Sequence, residues 1–146
     1  MPVSLFTEEQ KSRILKVIKE AELDTSGEIR VHIENTCTSG DAFTRGVELL
    51  FKLQMHKTAQ RNAVLFYLAV KDKKFSIVGD EGINNVVPPN FWDDIRNNMA
   101  KCFREGEFTE GICQAIDEAG RQLKAHFPYH SEDKNELSDE ISFDEN

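Results

Sequence analysis

The chain of 146 residues is long enough for one domain with a single core, and its hydrophobic fraction of 39% and aromatic fraction of 9% exclude a wholly disordered polypeptide. Its formal net charge of −8 argues against nucleic acid as a partner, because phosphate binding requires a basic surface. Residues 129–146 hold seven acidic side chains against one lysine. We therefore predict a domain over residues 1–128, followed by an acidic, disordered tail over residues 129–146.

The first segment predicts a helix followed by a strand. Thr7 and Gln10 have the spacing of a capping box, and apolar residues recur at helical spacing over residues 8–22. Residues 28–34 alternate between apolar and polar side chains, which is typical of a half-buried strand. The same alternation puts His32 on the polar side of the strand, so we expect it to face solvent rather than act as a ligand.

The middle of the chain predicts a helix and a strand hairpin. Asp41 is suited to cap an amphipathic helix. Residues 63–70 are apolar without alternation, which is typical of a fully buried strand. The short polar stretch of residues 71–74 predicts a turn into a third strand over residues 75–78.

Two further amphipathic helices complete the pattern. One follows the Pro88-Pro89-Asn90 sequence, and the other begins after Thr109 and ends near Phe127. The order αβαββαα predicts an α/β fold, a three-layer αβα sandwich with a central mixed sheet of about four strands. A short additional strand near residues 85–87 is a candidate for the fourth.

The cysteines and the apolar runs bear on the cellular compartment. The chain has three cysteines: Cys37, Cys102 and Cys113. Their odd number and the lack of a CxxC motif indicate buried thiols in a reducing compartment. The longest apolar run is far short of the ~20 residues that span a bilayer, and the first helix is too polar for a signal peptide. We expect a soluble, cytoplasmic protein without a membrane anchor.

The stretch of residues 78–85, VGDEGINN, carries the functional hypothesis. It places two adjacent carboxylates between two glycines, after a strand and before a helix. If the first and third strands run in the same direction, this loop meets residues 35–41 at one edge of the sheet, where open α/β sheets commonly bind ligands. The oxygen-bearing groups gathered there are those that Ca²⁺ prefers, with Mg²⁺ as a second candidate. The predicted metal ligands are Asp80, Glu81, Asp41, Asn35, Glu34 and Asn84.

Two simpler interpretations of this loop stay open. Asp80 can hydrogen-bond its own turn without any ligand. Arg61, at the start of the second strand, can neutralise the two carboxylates in place of a metal. The chain also lacks the motifs of common hydrolases, including GxSxG, HExxH and the Walker sequence.

Four segments together resemble the TPM domain family, which is named for thylakoid-lumen, photosystem-repair and receptor-accessory proteins. They are residues 28–34, 61–65 and 75–80, and the sequence Phe103-x-x-Gly106-x-Phe108-x-x-Gly111-Ile112. The resemblance implies an αβα sandwich that binds divalent cations at loops of the sheet edge, with Asp80 and Glu81 as the positions to carry over. Acid phosphatase activity is attributed to a plant member.

These observations predict a stand-alone, soluble domain that binds calcium or magnesium, whose edge loops are ordered by the metal and which acts as a regulatory or interaction module. The alternative is a metal-dependent hydrolase of the acid-phosphatase type, in which Asp80 or Glu81 holds the metal. A third possibility is an interaction domain whose acidic tail binds a protein partner.

Overall fold

The structure is a computed structural model that describes residues 6–23, 25–128 and 141–144. Its elements in chain order are α1 (Glu8–Glu22), β1 (Glu28–Glu34), α2 (Ala42–Lys52), β2 (Ala63–Ala69), β3 (Lys74–Gly79), α3 (Glu81–Asn84), α4 (Asp93–Arg104), α5 (Phe108–His126) and β4 (Ile141–Asp144). The four strands form one mixed sheet in the order β3-β2-β1-β4. The predicted α/β class and four-stranded sheet are confirmed.

The elements with the clearest sequence periodicity have the predicted bounds. α1 begins after a capping box, in which the Thr7 hydroxyl accepts from the Gln10 backbone N–H and the Gln10 side chain accepts from that of Thr7. β1 spans the seven residues of the alternating segment. Local propensity and one buried face are enough to define such elements.

Helices cover the two faces of the sheet unequally. One face presents Ile29, Val31 and Ile33 to a core shared with α1, α4 and α5. The other presents Leu65 and Tyr67 to α2, which packs mainly over β2 and β3. This arrangement gives the three layers of the predicted sandwich.

The strand directions correct one expectation. β1 and β2 pair in parallel, because the connection between them contains the crossover helix α2. β3 is antiparallel to β2, as the hairpin requires, and therefore antiparallel to β1. The carboxyl ends of β1 and β3 consequently lie at opposite edges of the sheet, so residues 35–41 and residues 79–85 do not meet.

The fourth strand lies in the segment predicted as a tail. β4 pairs in parallel with β1, from Val31 opposite Ile141 to Glu34 opposite Asp144. Residues 85–87, the earlier candidate for this strand, form a turn instead. Four residues beyond the predicted domain boundary at residue 128 thus take part in the sheet. The rest of the predicted tail, residues 129–140 and 145–146, lies outside the described part of the chain.

Within the described residues, no helix is both long enough and apolar enough to cross a membrane.

Candidate functional site: two polar clusters at opposite edges of the sheet

We call the edge at the amino ends of β1 and β2 the amino edge, and the edge at their carboxyl ends the carboxyl edge. The amino edge contains Asp80, Glu81 and Asn84, because β3 ends there. The carboxyl edge contains Glu34, Asn35 and Asp41. The six predicted ligands are therefore divided into two groups of three rather than collected at one site.

At the amino edge, Arg61 holds both carboxylates of the VGDEGINN stretch. Its Nε and Nη2 atoms donate to the two oxygens of Asp80 at 2.7 and 2.9 Å, and its Nη1 donates to Glu81 at 3.0 Å. The first pair has the bidentate geometry that gives arginine–carboxylate contacts their strength. The hydrogen bond to Asp80 raises the pKa of the Arg61 guanidinium further above its ordinary value.

The two carboxylates differ in their access to water. The Asp80 side chain is 4% exposed, whereas that of Glu81 is 64% exposed. Asp80 also caps α3, since its side chain accepts from the Glu81 backbone N–H. Asp80 is thus the buried member of the pair, and Glu81 is the solvent-exposed member.

The backbone around Arg61 has little freedom. Arg61 has φ +51°, in the left-handed region that residues other than glycine seldom adopt. Its carbonyl accepts from the Gly82 backbone N–H at 2.8 Å. A Cβ atom on Gly82 would lie 1.9 Å from the Gln60 carbonyl oxygen, so only glycine permits α3 to approach this loop so closely.

Asn84 lies at the same edge and holds the loop of residues 79–84 in place. Its side-chain amide donates to the Gly79 carbonyl at 2.8 Å, which ties the end of α3 back to the end of β3. The side chain is exposed at the surface. Asn84 therefore shapes the loop that carries Asp80.

At the carboxyl edge, Glu34 is fully buried and its oxygens are occupied. Arg45 donates to both of them, with Nε 3.1 Å from each, and the Tyr67 hydroxyl donates to Oε2 at 2.5 Å. Burial alone would raise the pKa of the Glu34 carboxyl, but the bonds from Arg45 and Tyr67 outweigh it and hold the pKa below its ordinary value. A metal would have to replace these donors to reach Glu34.

His32 is buried in the same network, which corrects the expectation that it faces solvent. It is 4% exposed. Its Nδ1 lies 2.7 Å from the Ser142 hydroxyl on β4, its Nε2 lies 3.6 Å from Glu34, and its ring stacks on Tyr67 with centroids 6.4 Å apart. The polar side of β1 is thus an internal surface, covered in part by β4.

The other two groups of the carboxyl edge serve their own loop. Asp41 caps α2 by accepting from the Thr44 hydroxyl at 2.5 Å and the Thr44 backbone N–H at 3.1 Å, and these bonds lower its pKa. The Asn35 carbonyl accepts from the Lys71 backbone N–H at 2.8 Å, and Lys74 Nζ donates to the Gly40 carbonyl at 2.5 Å. A lysine ammonium therefore already provides the positive charge beside Asp41.

Neither edge holds a ready-made metal cage. Within residues 6–23, 25–128 and 141–144, no group of three or more His, Cys, Asp or Glu side chains has a geometry that would hold an ion. The amino edge offers two carboxylates, fewer than the six to eight oxygens that enclose Ca²⁺ in its usual sites.

Arg61 was predictable from the sequence as a counter-ion, whereas Arg45 and Tyr67 were not identified from it. Both stand in segments that were assigned to an apolar face and a buried strand. The signal available for them was the glutamate at the end of β1, since a carboxylate at the end of a buried strand needs a donor nearby.

A helical layer on each face of a four-stranded mixed sheet, with an arginine–dicarboxylate cluster at one edge, defines a small αβα sandwich domain. The chain belongs to the TPM domain family, whose model matches residues 2–122.

Solved structures agree with this assignment. The NMR structure of the BA42 protein from the psychrophilic bacterium Bizionia argentinensis is 42% identical, with a TM-score of 0.88 over 95% of this chain and 95% of that chain. The N-terminal domain of the cg2496 protein from Corynebacterium glutamicum is 12% identical, with a TM-score of 0.66 over 91% of this chain and 84% of that chain, which shows likeness of fold alone. A comparison with curated proteins finds no match.

Proposed function

We propose that this chain is a divalent-cation binding domain in which Ca²⁺ or Mg²⁺ binds Asp80 and Glu81 in place of the Arg61 guanidinium. The observation that carries the proposal is the convergence of two adjacent carboxylates on one positive group. Two carboxylates brought together repel each other unless a cation neutralises them. A divalent ion supplies that charge in a smaller volume than a guanidinium.

The exchange requires only a side-chain movement. The Arg61 backbone is fixed by its bond to Gly82, whereas its side chain is 31% exposed and borders solvent. Binding of the ion releases the guanidinium to the surface, so the amino edge gains a free positive charge. We propose that this change of surface is the regulatory output, because a partner with an acidic contact would distinguish the two states.

Titration of Ca²⁺ and, separately, Mg²⁺ into chelator-treated protein tests the proposal. We expect the amide signals of residues 79–85 and the Arg61 Nε signal to shift, and Asp80→Asn to abolish the shifts. Asp93→Asn is the control, because Asp93 forms an ion pair with Arg96 on the solvent-exposed face of α4. Unmoved signals in residues 79–85 at millimolar ion would refute the proposal.

Arg61→Gln separates a cation site from a purely structural ion pair. Removal of the competing guanidinium should tighten cation binding about two- to fivefold, since an ion pair that borders solvent makes a modest contribution. If Arg61→Gln weakens or abolishes cation binding, Arg61 does not compete with the ion, and the exchange mechanism is wrong.

The hydrolase alternative stays a prediction, tested by turnover of a generic aryl phosphate that Asp80→Asn abolishes. The cytoplasmic location is likewise a proposal, supported by three free, buried cysteines.

A further inference from the structure

β4 covers an edge of the sheet that would otherwise be open. It is the last strand in the order β3-β2-β1-β4, and residues 127–140 separate it from the end of α5. Without β4, the outer N–H and C=O groups of β1 would be unpaired. Such an edge is a template for any extended segment that can pair with it.

The contacts that hold β4 are few and specific. The backbone pairs over four residues, from Val31 opposite Ile141 to Glu34 opposite Asp144. The Ile141 side chain packs, partly buried, against the main core. The Ser142 hydroxyl lies 2.7 Å from His32 Nδ1 and donates to the Val31 carbonyl at 3.5 Å.

These contacts define what the β1 edge recognises. The backbone of Val31–Glu34 selects an extended strand in parallel orientation, the core beside it selects an apolar side chain, and His32 selects a hydroxyl at the next position. Main-chain bonds supply affinity in strand addition, and the side chains at alternate positions supply specificity.

The charge beside this edge favours an acidic ligand. Arg30 precedes Val31, the first residue of β1 that pairs with β4, and its Nε is buried with no hydrogen-bond partner among the described residues. A buried guanidinium nitrogen without an acceptor is costly, and a carboxylate would satisfy it.

We infer that the β1 edge is a strand-docking groove for an extended acidic segment of a partner protein, in which an apolar residue is followed by serine or threonine, and that β4 occupies the groove as a built-in competitor. This surface is separate from the Asp80–Glu81 cluster at the amino edge. It therefore stands or falls independently of the cation proposal.

Because β4 competes for the groove, it sets the affinity that a partner strand needs. A strand that belongs to the same chain has an effective concentration of about millimolar at its docking position. A partner strand must exceed that concentration or bind more tightly than β4, so the native chain binds a free peptide weakly and a chain with a weakened β4 binds it well.

A labelled peptide with the sequence of residues 138–146, SDEISFDEN, is the probe. We expect it to bind the full-length Ile141→Asp variant, with shifts of the Val31–Glu34 amides, and to bind the native chain at least tenfold more weakly. A peptide carrying Ser142→Ala should bind the variant about 2- to 10-fold more weakly than the parent peptide, because it loses the bond to His32. Equal binding to both proteins, or binding to neither, would overturn the inference.

Hydrogen exchange of the native chain gives a second test that needs no variant. We expect the β4 amides to exchange faster than those of β2 under native conditions, because β4 opens while the rest of the sheet stays folded. If β4 exchanges only with global unfolding, it is a permanent part of the fold and the groove is never available.

Discussion

Glu34 and Asp41 each accept a hydroxyl hydrogen bond of 2.5 Å, from Tyr67 and Thr44 respectively. The two bonds have the same length but different donors, a phenol and an aliphatic hydroxyl, and opposite surroundings, since Glu34 is fully buried and Asp41 is at the surface. They therefore allow a buried and an exposed hydroxyl–carboxylate bond to be compared within one chain.

Tyr67→Phe should lower the free energy of unfolding by about 1–3 kcal/mol, because it leaves a buried carboxylate oxygen with one donor fewer. Thr44→Val, which deletes the corresponding hydroxyl at the surface, should change it by less than about 0.5 kcal/mol. Urea unfolding of both variants is the measurement. Equal losses would mean that the Glu34 network adds no stability beyond that of an exposed cap.

Gly82 offers a test in which two physical effects predict opposite signs. Helix propensity predicts that Gly82→Ala stabilises α3 by up to about 1 kcal/mol. The backbone carbonyl of Gln60, 1.9 Å from the added Cβ, predicts a loss of about 1–3 kcal/mol instead, because backbone must move to make room.

We expect the steric term to win and the Arg61 Nε signal to shift as the loop is displaced. The control is Gly40→Ala, where an added Cβ meets no atom within 4 Å and only the positive φ of 79° opposes it. A stabilised Gly82→Ala variant would show that the approach of α3 to the Arg61 loop is not tight.

At the scale of elements, the capping box of α1 is a sequence motif whose contribution to the free energy of unfolding can be measured. Thr7→Ala removes the hydroxyl that accepts from the Gln10 backbone N–H at 3.1 Å, and should lower the free energy of unfolding by about 1 kcal/mol. Ser12→Ala, at an exposed interior position of the same helix, should stabilise it by less than about 0.7 kcal/mol. Changes of the same sign and size in urea unfolding would contradict the capping assignment.

The sequence contains enough information to predict the strand directions, although the metal-site hypothesis did not use it. A connection that contains a whole helix, as residues 35–62 do, is the usual link between parallel strands. A tight turn such as residues 70–73 links antiparallel strands. Together the two rules make β3 antiparallel to β1 and separate the loops that were expected to meet.

Hydrophobic periodicity in the sequence could not predict β4 or the buried position of His32. Four residues within an acidic segment are too few to establish an alternating pattern, and the local composition predicts disorder. The polar side of β1 was assigned to solvent because alternation normally separates core from water. Here that side carries a buried polar cluster, in which Tyr67 donates to Glu34 and His32 lies against both, and only the assembled sheet reveals it.

The candidate cation site likewise has some features that the sequence predicts and others that depend on tertiary packing. The adjacency of Asp80 and Glu81 is visible in the sequence, and so is the option of Arg61 as their counter-ion, which the structure confirms. The positive φ of Arg61 and the closeness of Gly82 depend on the packing of α3 against the preceding loop. No local pattern reports that packing, because the two segments are separated by the whole β hairpin.

At the scale of the whole molecule, the shifted pKa values predict a stability plateau bounded on both sides. A hydrogen bond from Arg13 lowers the pKa of Glu110, and hydrogen bonds from Thr44 lower the pKa of Asp41. The pKa of Glu34 is also lowered, because the bonds from Arg45 and Tyr67 outweigh the effect of burial. A carboxyl whose pKa is lower in the folded state contributes stability above its unfolded pKa and loses it as pH falls through the folded value. Burial raises the pKa of the Cys102 and Cys113 thiols, so their contribution is complete below the unfolded thiol pKa and is lost as pH rises through the folded one.

We therefore expect the free energy of unfolding to be nearly flat between about pH 5 and pH 8, to fall below about pH 4, and to fall again above about pH 9. Urea midpoints across this range, in a reducing buffer, measure it. Cys113→Ala should reduce the alkaline slope and leave the acid slope unchanged, because it removes only a group that titrates there. An alkaline slope that is the same in Cys113→Ala and the native chain would show that the buried thiol does not ionise on unfolding in this range, and the high-pH limit would then belong to other groups.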